Sequence, residues 1–347
     1  MRIGVDLMGS DNSPFAFFEA LVTAKHSIDP AFTLAVIATY SVVHEIKLKY
    51  PDLKGFEFFP VSDTIGMEDD PLISARKKGS SIAVGIRLLK KRYLDAFISA
   101  GNTGALITSA TLQLPRLPGV RRPALLALLP TLTGTVAILD IGGSVTCRAD
   151  HLVQFAYMGA AFQSCNQGIE RPSVALLNIG IEPQKGNSAV RKAYQILSDT
   201  SNRVPLNMNF VGNVEGREVF QGGVDVIITD GFTGNVLLKA SEGVSSFIFS
   251  HIEEILSEKQ CDPSLSGSLQ RLKKEFNYAE YPGAILCGVE GLVVKCHGSS
   301  PPRTLVNSIN GAIHLVKQNV ISKLKMQLEF LCGQDDSNIH RVAPTRT

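Results

Sequence analysis

The feature that most constrains this chain is a repeated handover, from an apolar β-type run to a helix-type pattern through small residues. "VIITDGFTGNVLLKASEG" (226–243) is the clearest case, and "DAFISAGNTGALITSA" (95–110) repeats its form. "AILDIGGSV" ends a run at Gly142-Gly143-Ser144, and "ALLNIGIEPQKGN" ends one at Asn178 and Gly180. Further β-type runs are "RIGVDLM", "FTLAVIAT", "FEFFPV", "ALLALLP" and "NMNFVG", with helix-like stretches between many of them. Such alternation predicts a mostly parallel sheet covered on both faces, doubly wound by the handedness of its crossovers. The first helix is expected at Ser13-Pro14, with the serine as cap and the proline in the first turn. Residues 1–330 are read as one α/β domain, an α/β/α sandwich. A helical hairpin is expected at about 231–278, and a frayed tail at 331–347.

Composition narrows the function. The 347 residues are 44% hydrophobic, enough for a large core. A net charge of +2 and 7% aromatics argue against a nucleic-acid partner. The six cysteines form no C-x-x-C pair and no His cluster accompanies them, so no metal site is expected. No cofactor is expected either. Asp6 comes too early for a signal peptide, which leads us to expect a cytoplasmic protein. The uncharged stretch 123–139 contains Pro130 and Gly134. It reads as two buried strands with a turn rather than a membrane span.

In a parallel sheet the strand-to-helix loops gather at one carboxyl edge. Glycines there let backbone N–H groups approach an anion, and helix N-termini add donors. Asn102, Thr103, Thr233 and Asn235 supply uncharged side-chain donors. One such loop means little, but several on a shared edge suit a small anion such as phosphate. No P-loop, nucleophile elbow or dinucleotide fingerprint is present. His297 lies in "VVKCHGSS" beside Lys295, Gly298 and Ser299; Cys296 there reads as a buried structural thiol.

The motifs "VDLMGSD", "SAGNTGA", "PRLPGVRRPAL", "LNIGIEPQKGN", "GNVEGR", "DGFTGN" and "KCHGSS", in this order, resemble the PlsX family over residues 1 to about 317. The resemblance implies a phosphate acyltransferase in which inorganic phosphate attacks the thioester of a fatty acyl group on acyl carrier protein. The acyl phosphate would feed a membrane glycerol-3-phosphate acyltransferase in phospholipid synthesis. It also implies a homodimer and a fold similar to phosphate acetyltransferase and the isocitrate dehydrogenase-like enzymes. Some members touch membranes through an apolar hairpin tip, whereas here the tip, "KQCDPSLSG", is polar.

On this reading Lys185, Asn235 and His297 are the catalytic candidates. Asp6, Gly9, Asn102, Thr103, Gly104, Gly142, Gly143, Asn178, Asp230, Thr233, Gly234, Lys295, Gly298 and Ser299 are expected to bind or frame phosphate and substrate. Asp6 and Asp230 suit orienting roles, since a carboxylate repels phosphate. Docking of the acidic carrier is expected first at Arg116, Arg121 and Arg122. Lys77, Lys78, Lys273 and Lys274 follow. The chain departs from the family pattern at Ser10, Ser144, Thr146, Ile181 and Pro282. An acetyltransferase using coenzyme A and a non-catalytic scaffold of lipid synthesis are the competing readings.

Overall fold

The computed structural model describes residues 1–25, 31–203, 207–258, 283–296 and 302–335. The first half carries β1 (Arg2–Asp6), α1 (Pro14–Ala24), β2 (Thr33–Thr39), α2 (Tyr40–Lys49) and β3 (Phe56–Val61). There follow α3 (Pro71–Ser74), α4 (Ser81–Lys90), β4 (Ala96–Ser99) and α5 (Thr103–Gln113). A hairpin, β5 (Ala124–Thr131) and β6 (Gly134–Leu139), leads to α6 (Ala149–Gln167). Next come β7 (Ser173–Asn178), α7 (Ser188–Arg203), β8 (Asn209–Glu215), β9 (Val226–Ile228) and α8 (Gly231–Glu258). The last elements are β10 (Ala284–Cys287), β11 (Leu292–Lys295), α9 (Pro302–Lys317) and α10 (Val320–Asp335).

All strands join one 11-stranded sheet in the order β3-β2-β1-β4-β11-β10-β5-β6-β9-β7-β8. Side chains alternate between two cores. Ile3, Val5, Ala96, Ile98, Leu126 and Leu139 face one side with α1, α6 and α9. Phe97, Leu125, Ala127, Ile138 and Val293 face the other with α4, α5 and α8. Burial on both faces is why these strands read as near-continuous apolar runs. The expected start of α1 is present: Ser13 Oγ accepts from the Phe15 N–H, and Pro14 opens the helix. The strand pair expected in 123–139 is the β5–β6 hairpin, antiparallel from Leu126↔Leu139 to Thr131↔Gly134.

Two expectations need correction. The sheet is not wound in one direction: β10 pairs antiparallel with β11 and with β5, and β5 antiparallel with β6. So β1–β5 and β11 run one way, while β6–β10 run the other. The strand-to-helix loops therefore leave from two opposite edges, not from one. The β5–β6 hairpin makes this reversal, because its two-residue connection turns the chain back, and every later crossover up to β9 keeps the new direction. The second correction is the tail, since α10 continues helical to Asp335. Residues 336–347 lie outside the described residues, as does the hairpin's expected second arm.

Candidate active site

Despite leaving from opposite edges, the two sets of loops meet. A cavity of about 270 Å³ lies on the face of the sheet that carries α5 and α8. It is lined by Thr103 at the start of α5, Lys295 at the end of β11, Gly142 after β6, and Asn235 on α8. The first pair belongs to one strand direction and the second pair to the other. Apolar lining comes from Met67, Leu125, Ile141, Leu238 and Ala284, and a second lysine, Lys239, completes the rim with Cys296.

The start of α8 explains the small residues in "DGFTGN". Asp230 Oδ1 accepts from the Thr233 N–H at 2.7 Å, capping the helix, and the Gly231 N–H donates to the Ser144 carbonyl at 2.7 Å. A Cβ on Gly234 would lie 1.9 Å from the Asp140 carbonyl oxygen, and one on Gly231 would lie 2.7 Å from the Ser144 nitrogen. Only glycine allows this helix end to press against the loop after β6. That approach brings Asn235 beside Gly142, with its Oδ1 3.9 Å from where a Gly142 Cβ would stand. Among the described residues the Asn235 amide has no hydrogen-bond partner, which leaves it available to a ligand.

The loop after β6 is itself held by Asp140. Its Oδ1 accepts from the N–H groups of Gly143 (2.8 Å), Leu125 (3.0 Å) and Gly142 (3.2 Å). The Gly142 and Gly143 amides are thus committed to Asp140 and not offered to an anion. Burial pushes the Asp140 carboxyl up, and these N–H bonds oppose it.

On the other edge, Asn102 caps α5 through Oδ1 to the Ala105 N–H, at 3.0 Å. Its Nδ2 donates to the carbonyls of Met67 (3.0 Å), Asp69 (3.1 Å) and Gly66 (3.3 Å). Asn102 therefore ties the loop that brings Met67 to the cavity, a positioning role rather than the phosphate contact expected of it. Thr103, half-buried, is the residue of this turn that lines the cavity, and Gly104 packs α5 closely on Pro71. Asp6 is fully buried; it accepts from the Met8 N–H (2.9 Å) and the Ser99 hydroxyl (2.8 Å). The Ser99 hydroxyl oxygen in turn accepts from the Gly101 N–H, which fixes the entry to α5. Gly9 packs against the Ile65 carbonyl. Burial raises the Asp6 carboxyl to about 6.

Lys295 is 8% exposed; its Nζ donates to the Ala100 carbonyl at 3.3 Å and to the Cys296 carbonyl. An ammonium has three donors, so among the described residues one remains for the cavity. Burial first, then the charge of Lys239, lowers its pKa to about 8, against the pull of Cys296, Asp6 and Asp11. Burial raises the Cys296 thiol, and pushes those of Cys147 and Cys287 up to about 12. None of these thiols suits nucleophilic attack.

Lys185 does not line the cavity. It lies exposed on the loop after β7, whose carbonyl at Lys185 accepts from Asn178 Nδ2 at 3.1 Å. Thr233 is exposed on the first turn of α8, also off the lining. In the carrier-docking set, Arg116 Nη1 donates to the Arg121 carbonyl, Arg121 pairs with Asp150, and Arg122 Nη1 donates to the Thr146 carbonyl. Lys77 pairs with Asp69 at 3.3 Å, and the Lys78 carbonyl accepts from Arg87. His297, Gly298, Ser299, Lys273, Lys274 and Pro282 lie outside the described residues. Of the lining residues the sequence reading missed, Lys239 had a usable signal. It stands four residues after Asn235 on one helix, and so on the same face. Met67, Leu125 and Ala284 had none, because they arrive from three distant segments.

Residues 1–323 match the family described as "Fatty acid synthesis protein". The chain belongs to that family. Over 333 residues it is 40% identical to the phosphate acyltransferase of Chlamydia abortus, covering 94% of this chain and 99% of the relative. The phosphate acyltransferase of Thermoanaerobacter pseudethanolicus is 39% identical over 337 residues, covering 95% and 98%. The PlsX resemblance is thereby borne out, and the protein is an acyltransferase. Among solved structures, the EutD phosphotransacetylase from Staphylococcus aureus superposes with a TM-score of 0.58 at 14% identity, covering 91% of this chain and 94% of that one. At that identity the likeness speaks for the fold, and it agrees with the α/β class expected.

Proposed function

We propose that this protein transfers a fatty acyl group from acyl carrier protein to inorganic phosphate, giving acyl phosphate for phospholipid synthesis. One observation carries the reading. Four residues singled out from separate motifs, Thr103, Gly142, Asn235 and Lys295, line one cavity that joins a buried ammonium to an apolar wall. A phosphate oxygen attacks the thioester carbonyl carbon, forming C–O and a tetrahedral oxyanion. Collapse breaks C–S, and the carrier thiolate leaves and takes a proton from solvent. Phosphate needs no base to become a nucleophile, and a thiol of pKa ~8.5 leaves with little help. Positioning contributes on the order of 7–11 kcal/mol.

In this scheme Lys295 and Thr103 hold phosphate, and Asn235 donates to the oxyanion. Lys185, Thr233, His297, Gly298 and Ser299 complete the site from flanking loops. Asp6, Asp140 and Asp230 act through the backbones they hold. Arg116, Arg121 and Arg122 receive the acidic carrier, with Lys77 and Lys78 beside the Met67 loop and Lys273 and Lys274 as further candidates. The enzyme works in the cytoplasm as a homodimer. It hands acyl phosphate to a glycerol-3-phosphate acyltransferase at the inner face of the membrane, where it makes peripheral contact. No helix among the described residues is long and apolar enough to cross a membrane.

The test supplies purified protein with long-chain acyl carrier protein and phosphate, then measures thiol release and acyl phosphate. Both should appear in equal amounts, and acetyl-coenzyme A should support far less turnover. Preference for acetyl-coenzyme A would select the acetyltransferase reading, for which the phosphotransacetylase-like fold is the supporting observation; no product from either donor would select the scaffold. Asn235→Ala should reduce kcat about 100-fold, the loss of one oxyanion donor. Lys185→Ala should also reduce turnover strongly while the melting temperature is kept.

A further inference from the structure

We infer that Lys239 is a second phosphate-binding cation, gripping the anion from α8 while Lys295 grips it from β11; this rests on the phosphate reading above. Both lysines line the same cavity, and no carboxylate lines it among the described residues. Two lysines at one small space repel each other, and the charge of Lys239 is felt at Lys295. A bound dianion turns that repulsion into attraction at both groups, whereas an uncharged acyl end does nothing for either.

Lys239 is also held in place. Its Nζ pairs with Glu242 Oε2 at 2.7 Å, one turn further along α8, and Glu242 is not a lining residue. Asn235 and Lys239 stand four residues apart, on one helix face. The same element thus presents an amide to the oxyanion and an ammonium to the nucleophile.

Two phosphate sources fit this chemistry: inorganic phosphate, and the phosphodiester of the carrier's pantetheine arm. The doubled positive charge favours the inorganic dianion. The experiment is calorimetric titration of full-length wild-type, Lys239→Met, Lys239→Arg and Glu242→Gln proteins, first with inorganic phosphate and then with unacylated carrier protein bearing its pantetheine arm as the phosphodiester. Lys239→Met should weaken phosphate binding about tenfold or more, the loss of a charge-assisted bond. Lys239→Arg should restore most of it, Glu242→Gln should fall between, and thermal melts should be unchanged. In turnover, Lys239→Met should raise KM for phosphate more than it lowers kcat. Unchanged phosphate binding in Lys239→Met, or weakening confined to the pantetheine-bearing carrier, overturns the assignment. A wild-type protein that binds no phosphate overturns the phosphate reading itself, and Lys239 falls with it.

Discussion

Two buried charges of opposite sign give the protein opposite responses to pH. Lys295 has a native pKa of about 8 against an ordinary 10.5. Between those values the unfolded chain binds the proton and the native chain does not, so stability should rise with pH in that window. Phosphate affinity should fall over the same rise, because the cavity loses its ammonium. Lys295→Met should abolish this dependence and leave the melting temperature unchanged or raised, since it removes a buried charge. Its phosphate affinity should fall about tenfold or more. Asp6 moves the other way. Its native pKa is about 6 against 3.8, so the native state retains a proton that the unfolded state has lost. Stability should fall as pH rises from 3.8 towards 6, and Asp6→Asn should flatten that slope in melts taken across the range.

At the scale of elements, two helix starts carry the site, and each is anchored by a residue that makes no contact with the cavity. Asn102→Ala removes the α5 cap and three bonds to the 66–69 loop. It should cost about 2 kcal/mol by thermal melting, the upper end for a cap. Gly234→Ala forces a methyl into the Asp140 carbonyl. It should cost about 1–3 kcal/mol and lower turnover, because Asn235 moves with the helix. The glycines of "DGFTGN" were legible as a tight joint, and Asn235 as a donor at the same joint. Their partner, the Asp140 carbonyl, was not, since nothing local in "AILDIGG" reveals which helix lies against it. The alternation of apolar runs likewise marked β1 to β9 correctly. It did not mark β10, four residues long, or assign a strand to "LVVK", so the strands that join the two halves were missed, although the turn expected in 123–139 already implied the reversal of direction.

At the scale of the molecule, exposed apolar side chains mark one face for company. Phe232, Val236, Val244, Phe247, Ile248 and Ile255 lie exposed along α8. A stripe of this kind on a surface helix commonly marks an interaction site. If the homodimer proposed above uses it, Phe247→Glu should shift the protein to the monomer in sedimentation, with the fold kept by circular dichroism.

The order of the sheet sets a condition on synthesis. Among the described residues β10 and β11 are the last strands made, yet they occupy the centre, between β4 and β5, and β11 supplies Lys295. Everything translated before residue 284 leaves the ribosome with a gap between its two halves, their apolar edges open on either side. The protein is thus completed from its middle by a segment made after both halves. A premature stop before that segment yields no half-working enzyme, only an open seam for chaperones and proteases to find.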